Sequence, residues 1–171
     1  MKGYIQVYTG DGKGKTTAAL GLAMRAYGAG LNVYIAQFVK GMKYSEQETF
    51  KVLSKHITVK QYGRGCFIKG DPTEEDIKAA RAGLKEVREI MLSGKYQVVI
   101  LDEANIATYY KLISVDDLLE LIADKPEGME LIITGRNADP RIIEIADLVT
   151  EMKEVKHYYH SGVMAREGIE K

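Results

Sequence analysis

The 171 residues include a single cysteine, Cys66, and their charges cancel, with 24 Lys and Arg against 24 Asp and Glu. A lone cysteine excludes an internal disulfide and a cysteine-rich zinc site. A balanced charge leaves no overall field to draw nucleic acid or an anionic membrane. No stretch approaches the roughly 20 apolar residues of a spanning helix, and the opening Met1-Lys2-Gly3-Tyr4-Ile5-Gln6 has no apolar run of the kind a signal peptide needs. Repeats, low-complexity tracts and linkers are missing as well. So are the Ser-His-Asp, Cys-His and kinase catalytic-loop constellations. What remains is the expectation of one cytoplasmic domain spanning residues 1–171, with neither nucleic acid nor membrane as partner. A chain of this length buries ~70% of its unfolded surface.

Against these absences stands one dense motif. Thr9-Gly10-Asp11-Gly12-Lys13-Gly14-Lys15-Thr16-Thr17 directly follows the apolar run Tyr4–Tyr8. Its glycines let consecutive N–H groups turn toward a phosphate. Lys15 supplies charge, and Thr16 places a hydroxyl where a nucleotide-bound Mg²⁺ sits. The helix that follows aims its positive end at the same anion. The general phosphate-loop pattern has glycine five residues before Gly14, where this chain has Thr9.

Short apolar runs alternate with helical ones, which predicts an α/β fold: a mostly parallel sheet flanked by helices, with P-loop NTPase (RecA-like) architecture. Strands are expected at Tyr4–Tyr8, Asn32–Phe38, Ile57–Tyr62, Tyr96–Leu101, Glu130–Thr134 and Leu148–Met152. Helices are expected from Lys15 to about Tyr27, over Ser45–Lys55, around Ser114–Ala123 and near Pro140–Ala146. The longest opens after the N-cap Thr73 with Glu74, Glu75 and Asp76 in its first turn. Its stripe of Ile77, Ala80, Leu84, Val87 and Met91 has the spacing of a face laid on a sheet. Gly63–Gly70 reads as a lid or binding loop.

Four clusters fall at strand ends, where an open parallel sheet binds its ligands. One is the phosphate loop. Another is Asp102-Glu103, readable as the acid that reaches Mg²⁺ or as a helix N-terminal acid pair. The third is Thr134-Gly135-Arg136-Asn137, whose arginine can fork onto phosphate oxygens or sit solvated at the surface. In Gln37-Phe38-Val39-Lys40-Gly41, Lys40 either adds charge to the same crevice or lies on the surface. His157 and His160 lack a third metal ligand, Tyr109-Tyr110 and Tyr158-Tyr159 read as packing or interface residues, and Cys66 has no histidine to activate it.

Taken together, these motifs resemble one family along the whole chain, the P-loop ATP:corrinoid adenosyltransferases of cobalamin synthesis and salvage. The match runs through Thr9–Ala19 (with Asp11 where the family usually has Asn), Gln37–Gly41, Leu101-Asp102-Glu103, Tyr110-Lys111-Leu112, Thr134–Asn137 and Ala146–Met152. It ends with Glu154–His157 and Gly162–Glu170. The resemblance implies that Co(I) of a cobalamin or cobinamide-type corrinoid attacks C5′ of ATP and expels triphosphate. It implies that ATP lies along residues 9–17, with Lys15 and Arg136 on the polyphosphate, Thr16 and Glu103 on Mg²⁺ (or Mn²⁺), and Arg25 near the nucleotide. Lys15, Arg136 and Glu103 are then the catalytic set, while Lys40 and Asn137 join the binding residues. A reductase or flavin supplying electrons and a homodimer follow as expectations.

Two departures stand out. Family members often carry Gly-Phe-x-Trp, an aromatic pair that strips the lower cobalt ligand. Here the loop reads Gly65-Cys66-Phe67-Ile68 and the chain has no tryptophan, so only Phe67 is left to meet the corrinoid. Many relatives also cover the partner's site with an N-terminal extension, whereas this sequence begins almost at its first strand. The rival reading, a P-loop nucleoside kinase or ATPase of RecA-like fold, presents the γ-phosphate from the same loop. It needs an acceptor pocket and a base that the motifs do not supply.

Overall fold

Alternation along the strands sets the architecture. In the computed structural model, which describes residues 2–42, 45–63 and 71–170, six strands form one sheet: β1 (Ile5–Thr9), β2 (Val33–Gln37), β3 (Ile57–Gln61), β4 (Val98–Asp102), β5 (Glu130–Thr134) and β6 (Leu148–Glu151). Their order is β3-β2-β4-β5-β1-β6, and every pairing is parallel. β2 and β4 are buried at all five positions, as strands covered on both faces must be. Val33 and Ile35 of β2, Val98 and Ile100 of β4 and Ile132 of β5 point to one face. The residues between them, Tyr34, Ala36, Val99, Leu101, Leu131 and Ile133, belong to the other.

Helix α1 (Lys15–Gly28) covers the first face with Ala19, Ala23 and Ala26, and Phe50 of α2 (Ser45–Val52) joins them. Small alanines let α1 lie close on the sheet. On the second face, α3 (Glu74–Leu92) buries Ala80, Leu84, Val87 and Met91, four of the five predicted stripe positions. Its N-cap is Thr73, in a reciprocal capping box with Asp76. Leu118, Leu121 and Ile122 of α5 (Val115–Ala123) and Ile142 of α6 (Pro140–Ile145) complete that core. Both short helices start at side-chain caps, Ser114 and Asp139.

Most boundaries shift by one or two residues from the sequence reading, and α2 stops at Val52, where a turn closed by His56 N–H to Leu53 O hands the chain to β3. Two elements were not foreseen, α4 (Ala104–Tyr109) and a 3₁₀ turn at Tyr158–Ser161. At six and four residues they are too short to show a helical period. Among the described residues, no helix is long and apolar enough to cross a membrane.

Candidate active site

The phosphate loop leaves β1 and enters α1 through two glycines in the left-handed region, Gly10 at φ 92° and Gly14 at φ 120°. Gly14 is the N-cap of α1, and no side chain caps the helix, so its first amides keep their donors for an anion. A wall stands behind the loop. Gly12 N–H donates to Met152 O at 2.7 Å and Met152 N–H to Thr9 O at 2.8 Å. A Cβ on Gly10 would lie 2.4 Å from Met152 O, and one on Gly12 2.7 Å from it. These glycines are therefore required by the backbone behind them.

Lys15 is only 7% exposed, and its ammonium donates to Gly10 O at 2.8 Å and Gly12 O at 2.7 Å. Burial, with Arg136 nearby, holds its pKa below the ordinary lysine value against the pull of Glu103 and Asp11. The sheet's carboxyl edge thus gathers Lys15, Arg136 and Glu103 into one electrostatic neighbourhood, although residues 15, 103 and 136 leave three different strands.

Asp102 is the hub. It is fully buried at the end of β4. Its Oδ1 accepts hydrogen bonds from Thr16 Oγ1 and Thr134 Oγ1, both at 2.8 Å. Its Oδ2 accepts from Lys40 Nζ at 2.6 Å and, more weakly, from Gln37 Nε2 at 3.4 Å. Four donors from β2, its following turn, α1 and β5 converge on one carboxylate, which is how a buried charge is tolerated. Glu103 follows at φ 61° as the N-cap of α4, its N–H donating to Thr134 Oγ1 at 3.0 Å. That left-handed step turns the second acid away from the strand's alternation. Of the two sequence readings of Asp102-Glu103, the helix N-terminal one is met by Glu103 as the cap of α4, while Asp102 ends the strand beside the phosphate loop. Burial, then the Asp102 carboxylate, raises the Glu103 pKa, while Lys40, Lys15 and Arg136 oppose the rise.

The other site residues fall in different places. Thr9 is buried, and its hydroxyl accepts from Ala138 N–H at 3.4 Å. Asp11 is exposed on the loop, and Thr17 is exposed on the first turn of α1. Lys13 turns to the tail, donating to Ile169 O at 3.0 Å with Glu170 at 3.8 Å. Arg136 and Asn137 are exposed just past β5, with Asn137 at φ 55°. Lys40 points into the crevice, at a carboxylate. Arg25 sits in the last turn of α1, ~15 Å along the axis from Lys15 at the ordinary helical rise, so the phosphate loop and Arg25 occupy opposite ends of one helix. Phe67 and the rest of the Gly65–Ile68 loop lie outside the described residues. Sequence reasoning passed over Asn105, fully buried on α4, whose Nδ2 donates to Gly135 O at 3.2 Å and braces the arginine turn. Its position after the acid pair was the one available signal.

Residues 1–170 match the family described as ATP:corrinoid adenosyltransferase BtuR/CobO/CobP. The chain belongs to this family. Similar proteins include the corrinoid adenosyltransferase of Pseudomonas aeruginosa, 34% identical over 99% of this chain and 84% of its own length. That of Sinorhizobium sp. is 37% identical, covering 99% and 80%. The corrinoid adenosyltransferase of Escherichia coli K12 is 33% identical, covering 99% and 86%.

Proposed function

We propose that the chain, acting as one adenosyltransferase domain over residues 1–171, transfers the 5′-deoxyadenosyl group of ATP to a reduced corrinoid. The Co(I) electron pair forms the bond to C5′, the C5′–O bond breaks, and triphosphate leaves with that bond's electrons. The nucleophile is the substrate's own, so the protein's work is to hold C5′ in line and stabilise charge gathering on the leaving group. The observation that carries this reading is the convergence of Lys15, Thr16 and Asp102 at the mouth of an uncapped helix, in a chain of this family.

In this reading Lys15 leaves the loop carbonyls for the polyphosphate and Arg136 closes on it from β5. The uncapped amides at the start of α1 line the phosphates. Thr16 and Glu103 hold Mg²⁺ or Mn²⁺, with Asp102 orienting the Thr16 hydroxyl. A hydroxyl and carboxylates are the hard oxygen donors such an ion takes. Such an ion is shared between one or two carboxylates and substrate phosphates. When bound, it neutralises charge on the departing triphosphate.

Phe67 serves the corrinoid side, and a reductase or flavin supplies the electron that makes Co(I). A second copy of the chain is the natural cover for β6 and the tail after it, where Leu148, Val149, Val155, Tyr159 and Met164 are all exposed. The deciding experiment combines MgATP with chemically reduced cobalamin. Adenosylcobalamin and inorganic triphosphate in equal amounts are expected. ADP without a cobalt–carbon bond would refute the proposal.

A further inference from the structure

The turn after β2 combines three features that packing alone does not require. Val39 adopts φ 61°, a left-handed conformation that is a genuine outlier for a β-branched residue. The next residue, Lys40, sends its ammonium 2.6 Å from Asp102 Oδ2, and the carboxylate is wholly buried. The turn is also clamped from outside. Gly63 N–H donates to Lys40 O at 3.1 Å, and a Cβ on Gly63 would lie 2.6 Å from Lys40 N and 2.7 Å from Val39 C. Only glycine at 63 lets the two backbones touch. Phe38 N–H, donating to Asp102 O at 2.9 Å, ties the start of the same turn to β4.

We propose that the strained Val39–Lys40 turn is a positioning element that holds the Asp102 carboxylate, and through it the Thr16 hydroxyl, in the geometry that binds magnesium-nucleotide. Lys40 then acts on the nucleotide through Asp102 and makes no phosphate contact of its own. Oδ2 is fixed by Lys40, which leaves Oδ1 to take Thr16 and Thr134. Without the ammonium the carboxylate loses its charged partner, and both hydroxyls lose a fixed acceptor. Strain held at a functional turn by surrounding contacts is a recurrent means of pre-organisation.

This inference rests on the nucleotide site described above, and a double-mutant cycle separates the two. MgATP binding is measured by calorimetry for the full chain, Lys40→Met, Asp102→Asn and the double variant. Expected are a roughly tenfold loss for Lys40→Met, at least that for Asp102→Asn, and a double variant within about threefold of Asp102→Asn alone. A lysine touching phosphate independently would make the losses multiply. A product close to 100-fold overturns the proposal, as does wild-type affinity in Lys40→Met. A purely structural lysine would lower the melting temperature and leave the affinity of the folded fraction unchanged, which also overturns it. Should Lys40→Met fail to fold, Gly63→Ala keeps every charge and displaces the turn. There at least a threefold loss is expected, and undiminished affinity refutes the inference. A wild-type chain that binds no MgATP removes the nucleotide site itself, an outcome distinct from all of these.

Discussion

Lys15→Met separates stability from catalysis more sharply than any other single change. In the fold, the Lys15 ammonium makes two short hydrogen bonds to loop carbonyls. Hydrogen bonds to a charged group are worth about 1.5–3 kcal/mol each, so the gross gain is about 3–6 kcal/mol. Opposing it is desolvation of an ammonium that is 7% exposed, which costs several kcal/mol. The lowered lysine pKa says that burial and Arg136 outweigh the attraction of Glu103 and Asp11. The terms nearly cancel. Methionine fills the same channel without desolvation cost, and net stability changes by about 1 kcal/mol or less, a melting shift of ~2–4 °C for a chain of this size. Catalysis has no such compensation. Removing a donor aimed at developing negative charge costs about 10²–10³ in rate. Single-turnover adenosylation of chemically reduced cobalamin, followed by its absorbance change and by triphosphate release, reads the second quantity; thermal unfolding reads the first. Turnover within tenfold of wild type would refute the leaving-group role. A melting drop beyond about 8 °C would show that the ammonium holds the loop together.

Glu103 titrates above its ordinary value of 4.5 because burial and Asp102 disfavour its ionised form. Between the unfolded and the folded pKa the native state binds the proton more tightly, so stability falls as pH rises through that window. Glu103→Gln therefore gains melting temperature on wild type from about pH 4.5 upward in EDTA, and a pH-independent difference would contradict this. Gly10→Ala places a Cβ 2.4 Å from Met152 O at φ 92°, which costs about 2–3 kcal/mol; an unchanged urea midpoint would show that the loop can retreat from β6. Gly83→Ala sets ~1 kcal/mol of helix propensity against a Cβ 2.5 Å from the Tyr62 ring. That ring cannot move aside, since its hydroxyl bonds Tyr34 at 2.7 Å and it packs on Phe38. Overpacking of about 1–3 kcal/mol wins, and chemical denaturation is expected to show a net loss near 1 kcal/mol.

The sheet was legible because its buried strands are short apolar runs bounded by turn residues, and the phosphate loop because its chemistry lies in consecutive positions. The Thr73 cap was legible for the same reason, since Asp76 sits three residues away. The hub at Asp102 was not. Lys40, Thr16 and Thr134 reach it from three separate segments, and nothing in local spacing brings residue 40 to residue 102. Adjacent acids also look equivalent in a sequence. The strand's last step buries Asp102, and the left-handed turn at Glu103 sends the second carboxylate elsewhere. Lys13 shows the same limit, because nothing in its place within the motif announces the tail carbonyl of Ile169 that its ammonium meets.

The wall behind the phosphate loop bears on how the molecule comes into being. β1 precedes the other five strands in the chain, yet its neighbours are β5 and β6, with Ile5 opposite Leu131 and Gln6 opposite Leu148. Pairings so distant in the chain form late, because loop closure must be paid for before contacts return anything. The phosphate loop takes its backing from Met152, which follows β6, so its shape depends on a segment far along the chain. A chain lacking that segment keeps the whole phosphate-loop motif and loses the backbone that stands behind it. A ligand that needs the backed loop therefore stabilises forms of the chain in which β6 is in place over those in which it is not.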